Sequence, residues 1–122
     1  MAKGDDIEAR LVGFAIRALD LCDRLPKTAA GSHIAGQLLR SASSAAPNYG
    51  EVRGAESTKD FVHKLGVVLK EVNESRIWLR IVRERNMLPG DEVRAAYQEC
   101  DELCRIIAAS RRTVEGNMRG KL

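Results

Sequence analysis

The spacing of apolar residues constrains this chain most. Between residues 5 and 25, Ile7, Leu11, Phe14, Ala15, Ala18, Leu19, Cys22 and Leu25 recur three and four apart. That period puts them on one face of an α-helix and would scatter them over both faces of a strand. Asp5, Asp6 and Glu8 suit the positive end of such a helix, and Pro26 stops it, because the residue before a proline is pushed out of the α region. A second stripe, Ile34, Leu38, Ala42, Ala45, Tyr49 and Val52, predicts a helix over 32–53 with Ser32 as its N-cap. Pro47 lies inside it and predicts a kink near residues 43–47.

A third helix follows over 58–86, opened by Ser57 with Asp60 in a capping-box arrangement and striped by Phe61, Leu65, Val68, Val72, Leu79 and Val82. After "NMLPGD" a fourth is predicted over 91–115, with Asp91 as cap and Val93, Ala96, Tyr97, Cys100, Leu103, Cys104, Ile107 and Val114 inward. Residues 116–122, with two glycines and no period, are predicted to be a flexible tail. No segment alternates with period two. Long helices joined by short loops make neighbours antiparallel, so the expected fold is a single all-α domain, an up-down-up-down four-helix bundle.

At 122 residues, the chain can bury one core. Aromatic residues are only 4% of it, so that core must be aliphatic and alanine-rich. Cys22, Cys100 and Cys104 are odd in number and lack metal-binding spacing, which points to reduced core residues. The beginning, "MAKGDDIEARLVGF", has no long apolar run, so neither a signal peptide nor a membrane span is expected, and the protein should act in the cytoplasm.

Two polar patterns carry the functional question. On the second helix Gln37, Ser41, Ser44, Asn48 and Glu51 follow one seam, and on the third Asp60, Lys64, Val67, Glu71, Glu74 and Trp78 follow another. Each seam fits either a solvated helix face or a hydrogen-bonded network inside the bundle or at a subunit interface, with Asn48 and Glu51 serving backbone groups freed by Pro47. A di-metal centre needs paired Glu-x-x-His motifs; here only His63 has an acid three residues earlier, at Asp60, so neither metal nor other cofactor is expected. Glu71 and Glu74 come with no nucleophile or phosphate loop, so no catalytic residue is assigned and an enzyme is not expected.

The second pattern is arginine. Residues 103–122 hold Arg105, Arg111, Arg112, Arg119 and Lys121 against Glu115 alone, within a chain of net charge +3. Arg76, Arg80 and Arg83, with Arg85 beside them, close the third helix, and Arg111 and Arg112 close the fourth. Helix-end arginines complement the helix dipole; repeated around an oligomer, they would equally suit a phosphate backbone. Structured RNA or DNA is therefore the leading partner, read through Arg76, Arg80, Arg83, Arg85, Arg111 and Arg112. The alternative is a scaffold or adaptor that engages another protein.

The segment "GQLLRSASSA" followed by "APNYGEVRGAESTKDFVHKLGVVLKEVNESRIWLRIV", residues 36–82, resembles the bacterial four-helix bundle proteins also called the 23S ribosomal RNA intervening-sequence proteins. The likeness rests on Asn48, Tyr49 and Glu51, then Ser57, Asp60, Phe61, His63, Lys64 and Leu65, then Lys70, Glu71, Glu74, Ser75, Trp78 and Leu79, and extends from about Phe14 to Val114. Gly50 and Val52, and Pro47 directly before Asn48, depart from the residues common there. The resemblance implies a bundle that assembles with itself into a ring, a pentamer, with the polar stretch at a helix junction and interface. It implies little about activity, since the family's name records gene location. The family is also similar to the basic accessory proteins of diversity-generating retroelements, which bind nucleic acid and a reverse transcriptase.

Overall fold

The computed structural model describes residues 3–120, which form four helices: α1 (Lys3–Arg24), α2 (Ala29–Arg53), α3 (Thr58–Glu84) and α4 (Gly90–Gly120). Contacts between elements join α1 to α2, α2 to α3, α3 to α4 and α4 back to α1, with no diagonal pair, so the helices stand at the corners of a square. Each adjacent pair runs antiparallel. Along α1 and α2, Asp5 meets Arg53 while Cys22 meets Ala35; along α2 and α3, Ser44 meets Glu71 while Arg40 meets Glu74. Along α3 and α4, Val62 meets Arg111 and Val72 meets Cys100; along α4 and α1, Glu92 meets Arg24 and Glu99 meets Arg10. The fold is thus an up-down-up-down four-helix bundle. Among the described residues no helix is long and apolar enough to cross a membrane.

Phe14 and Leu11 of α1, Leu38 of α2, Leu65 and Leu79 of α3 and Leu103 and Ile107 of α4 are fully buried and interlock as one core. Burial of each such side chain contributes about 1.5–3 kcal/mol, which is what holds the helices together. The apolar stripes read from the sequence supply most of this core; Leu19 is exposed, Ala15 and Val114 are half-buried outside it, and Leu21 is buried instead.

The helix ends explain where sequence and structure differ. α2 starts at Ala29, three residues before the expected Ser32 cap. The hydroxyl of Thr28 accepts the Gly31 amide at 3.1 Å and Ser32 is exposed inside the first turn. A side chain at Gly31 would put its Cβ 2.0 Å from the Pro26 carbonyl oxygen, so only glycine lets the loop fold back over this turn. Pro47 does not interrupt α2. Both Pro47 and Ser43, whose carbonyl loses its donor, lie on the exposed side, where water can replace the missing amide.

At the next junction Ser57 accepts the Asp60 amide at 3.0 Å, while the Asp60 carboxylate reaches back to the Glu56 amide at 3.1 Å, one residue beyond a standard capping box. α3 closes on a Schellman motif: Met87 donates to Val82 and Asn86 to Arg83, with Asn86 at φ 54°. That ends the helix two residues before the expected Asn86. α4 runs past residue 115, so residues 116–120, expected as flexible tail, are helical, with Val114 and Met118 half-buried four apart; Lys121 and Leu122 lie outside the described residues.

The cap assignment predicts that Thr28→Ala lowers unfolding free energy in urea by about 1 kcal/mol while Ser32→Ala leaves it within about 0.5 kcal/mol. Equal losses from the two variants would place the start of α2 at Ser32 instead.

Candidate nucleic-acid interface

α3 is held on one side by a polar seam with α2. Ser41 and Ser75 are buried polar residues, and small side chains at these two positions bring the helices close enough for Ser75 Oγ to reach Ser41 Oγ at 2.8 Å. Ser75 Oγ also lies 3.0 Å from the Glu71 carbonyl, and Ser44 donates to the Glu71 carboxylate at 2.7 Å. Arg40 joins the seam from outside by pairing with both Glu71, at 3.1 Å, and Glu74. Trp78 Nε1 donates to Glu74 at 3.2 Å, and its ring meets His33 edge-on. Although partial burial pushes the Glu74 carboxyl up, the hydrogen bonds from Arg40 and Trp78 outweigh it and hold the group below its ordinary range.

The candidate residues of this seam divide accordingly. Ser41, Ser44, Glu71, Glu74 and Trp78 are linked to one another, and Asn48 joins them through its side-chain amide on the Ser44 carbonyl at 2.8 Å. That carbonyl is next to the one Pro47 strips of its donor, so Asn48 does not repair the gap. Glu51 is exposed and makes no side-chain hydrogen bond to the described residues, against its expected place in the network. Gln37 is half-buried on the same seam without such a bond. Asp60 and Lys64 pair with each other at 3.1 Å, one turn apart at the start of α3. Arg40 and its two glutamates were not paired by sequence reasoning, because their partnership crosses between helices and no spacing within either helix reveals it.

On its other side α3 faces α4 across a groove of about 600 Å³, whose charged and polar wall is Lys70, Asn73, Arg76, Asp101, Arg105 and Arg112. Asn73 Oδ1 holds the Arg76 guanidinium through Nη2 at 2.8 Å. Asp101 stands 3.9 Å from Arg76 and 2.9 Å from Arg105. The groove wall thus carries four cations and one carboxylate; Arg76 and Arg105 reach that carboxylate, and Lys70 and Arg112 form no ion pair with the described residues. α4 is charged differently along its two edges. Arg105, Arg112 and Arg119 recur every seven residues, with Arg105 and Arg112 in the groove, while Glu92, Glu99 and Glu102 meet Arg24 and Arg10 of α1.

The six arginines singled out from sequence do not form one cluster. Arg76 and Arg112 line the groove. Arg111 turns inward, donating to the Val62 carbonyl at 3.3 Å over Gly66, where an added Cβ would come within 3.2 Å of the guanidinium. Arg83 lies over the Tyr97 ring, 4.5 Å from its centroid. Arg80 is paired with Glu84 and, with Arg85, borders the exposed Ile77 and Ile81. The ends of α3 and α4 are opposite poles of an antiparallel pair, so closeness in sequence misled here. Lys70 and Arg105 were missed; the seven-residue spacing of Arg105 and Arg112 was the available signal.

A family profile described as the 23S rRNA-intervening sequence protein matches residues 7–109. The chain belongs to that family. The 23S rRNA-intervening sequence match spans the whole of α2 and α3 and the groove-lining residues up to Arg105, and ends before Arg112. Among solved structures, the bundle is similar to a protein of unknown function from the S23 ribosomal protein family of Bacteroides thetaiotaomicron VPI-5482. The two are 24% identical and superpose with a TM-score of 0.81, covering 91% of this chain and 99% of that one. No curated protein matches the chain.

The seam between α2 and α3 generates a coupling prediction. Ser75→Ala should cost about 1–2 kcal/mol by leaving the Ser41 hydroxyl short of a buried partner, and Ser41→Ala/Ser75→Ala should cost less than the two single losses added. Strict additivity in a double-mutant cycle read by urea unfolding would contradict a direct bond between them.

Proposed function

We propose that this family member is a non-catalytic, cytoplasmic homo-oligomer that binds the phosphate backbone of structured RNA or DNA through the groove between α3 and α4. The observation that carries the reading is the groove's charge: Lys70, Arg76, Arg105 and Arg112 around the single carboxylate of Asp101. A concave strip of cations focuses positive potential and suits a polyanion, with arginine able to fork onto phosphate oxygens. Aromatic stacking platforms are not part of this surface. Tyr97 is covered by Arg83, and Trp78 is engaged with Glu74 and His33 on the opposite side of α3. Unstacked bases are read mainly by stacking on aromatics, so the reading favours a duplex held by its phosphates, without sequence readout.

Self-association is supported by two apolar patches that differ in composition and position. Val12, Ile16 and Leu19 lie on the outside of α1 toward α2, where Leu39 is also exposed; Ile77 and Ile81 lie on the outside of α3. Two unlike patches on different sides of one subunit suit a head-to-tail contact, the kind that closes into a ring. A pentamer is the ring that the resemblance implies, and it would repeat the groove around its circumference.

Two measurements test the reading. In anisotropy titrations with a fluorescent duplex RNA and a duplex DNA, log K should fall with log salt at a slope of about −3, from roughly 0.9 per neutralised phosphate and three to four contacts in each groove. Lys70→Glu/Arg105→Glu/Arg112→Glu should abolish binding, and Arg80→Glu/Arg85→Glu should change it much less. Binding lost only in the second variant, or absent in the wild type at low salt, would overturn the groove assignment. Light scattering should give a multiple of 13.5 kDa that Ile16→Glu, at a site 56% exposed, reduces toward the monomer without unfolding. A monomeric wild type would leave both patches free and favour the adaptor reading.

A further inference from the structure

α1 and α3 stand at opposite corners of the square and, each being antiparallel to α2, run in the same direction. Both turn apolar side chains outward: Val12, Ile16 and Leu19 on α1, Ile77 and Ile81 on α3. Spacings of three and four keep each set on one stripe. On both helices charge follows the apolar residues. Asp20 and Asp23 come next on α1, exposed and without an ion pair among the described residues; Arg85 comes next on α3, in the same condition.

The neighbouring charges leave this contrast standing. On α3, Arg80 is paired with Glu84 and Arg83 lies over the Tyr97 ring, so Arg85 is the uncompensated cation of residues 77–85. On α1, the exposed Arg17 offsets one of the two acids between residues 12 and 23, and one negative charge is left over. Because the two patches occupy opposite corners, a single partner copy cannot cover both, and a contact between them is head-to-tail rather than two-fold. In a closed ring of more than two copies, the rotation between neighbours falls short of a half-turn. Helices that share a direction within the subunit therefore cannot meet antiparallel.

We propose that the α3 patch of one copy docks parallel on the α1 patch of the next, with Arg85 paired to Asp20 across the contact. Laid with Ile77 against Val12 and Ile81 against Ile16, the helices bring Arg85 level with Asp20, since each stands four residues beyond the last aligned isoleucine. Asp23 adds to the negative field at the same end. The apolar side chains supply the attraction, and the ion pair sets direction and register. Antiparallel docking would instead carry Arg85 past Val12 to Glu8 and set Lys70 against Asp23. This pairing rests on the self-association proposed above and fixes which surfaces meet, in which direction and through which ions. The groove between α3 and α4 lies within one subunit, so phosphate binding can stand where this contact fails.

Charge reversal and cross-linking test it together. By sedimentation velocity at low salt, Arg85→Asp and Asp20→Arg should each weaken self-association about tenfold, and Asp20→Arg/Arg85→Asp should recover most of that loss. All three positions are exposed or lie beside exposed residues, so the far-ultraviolet helix signal should be unchanged. On mild oxidation, Val12→Cys/Ile77→Cys should link copies into a ladder on a denaturing gel, while Asp23→Cys/Lys70→Cys should not; the three native cysteines are buried and add no rungs. A monomeric wild type would sink this contact and the self-association reading together. An oligomer indifferent to the single reversals, reversals that do not compensate, or a ladder from Asp23→Cys/Lys70→Cys would overturn the parallel contact and leave self-association in place.

Discussion

The architecture depends on how closely α3 lies against α2. At their contact Ser41 and Ser75 stand as buried polar residues in an otherwise apolar core, and their hydroxyls meet at 2.8 Å. An isolated hydroxyl in such a place would be costly to bury; paired, the two cost little and specify which residues face each other. The same register aligns Ser44 with Glu71 and Arg40 with Glu71 and Glu74, so a short stretch of hydrogen bonds settles the rotation of α3 about its own axis. Once that rotation is set, Lys70, Asn73 and Arg76 turn toward α4. The cationic groove is thus a consequence of the opposite side of the helix being pinned.

α4 completes the groove because its two edges carry opposite charge. Glu92, Glu99 and Glu102 meet Arg24 and Arg10 of α1, whereas Arg105 and Arg112 line the groove with α3, where Asp101 is the one acid among them. A modest net charge of +3 spread over 122 residues would make a weak field, but sorting the signs along one helix concentrates the positive part. Ion pairs at the surface contribute about 0–1 kcal/mol each, so this sorting has more consequence for what the surface can attract than for stability.

Much of the fold was legible because each helix carries its own apolar stripe, and the Ser57 cap was legible because a hydroxyl followed three residues later by an acid describes a local bond. Features that depend on a second segment were harder to read. Thr28 and Ser32 are equally good caps in isolation; what separates them is Gly31 passing under the Pro26 carbonyl, a contact made only after the loop has folded back. Gly116 and Gly120 read as breaks, yet α4 continues through residues 116–120. For the candidate site, the arginines nearest in sequence were grouped, whereas antiparallel packing brings together Arg76, Arg105 and Arg112 from the middle of α3 and the second half of α4. Glu51 kept the right spacing and still faces solvent, since spacing establishes a stripe without saying where its last member meets a neighbour.

The most direct test of the central claim is arginine footprinting. Phenylglyoxal modification of each arginine would be followed by peptide mass mapping, with and without saturating duplex RNA at low salt. The account predicts protection of Arg76, Arg105 and Arg112, with Arg80 and Arg85 reacting at the same rate in both samples. Protection confined to Arg80 and Arg85, or none at any arginine under conditions where the duplex is bound, would contradict it.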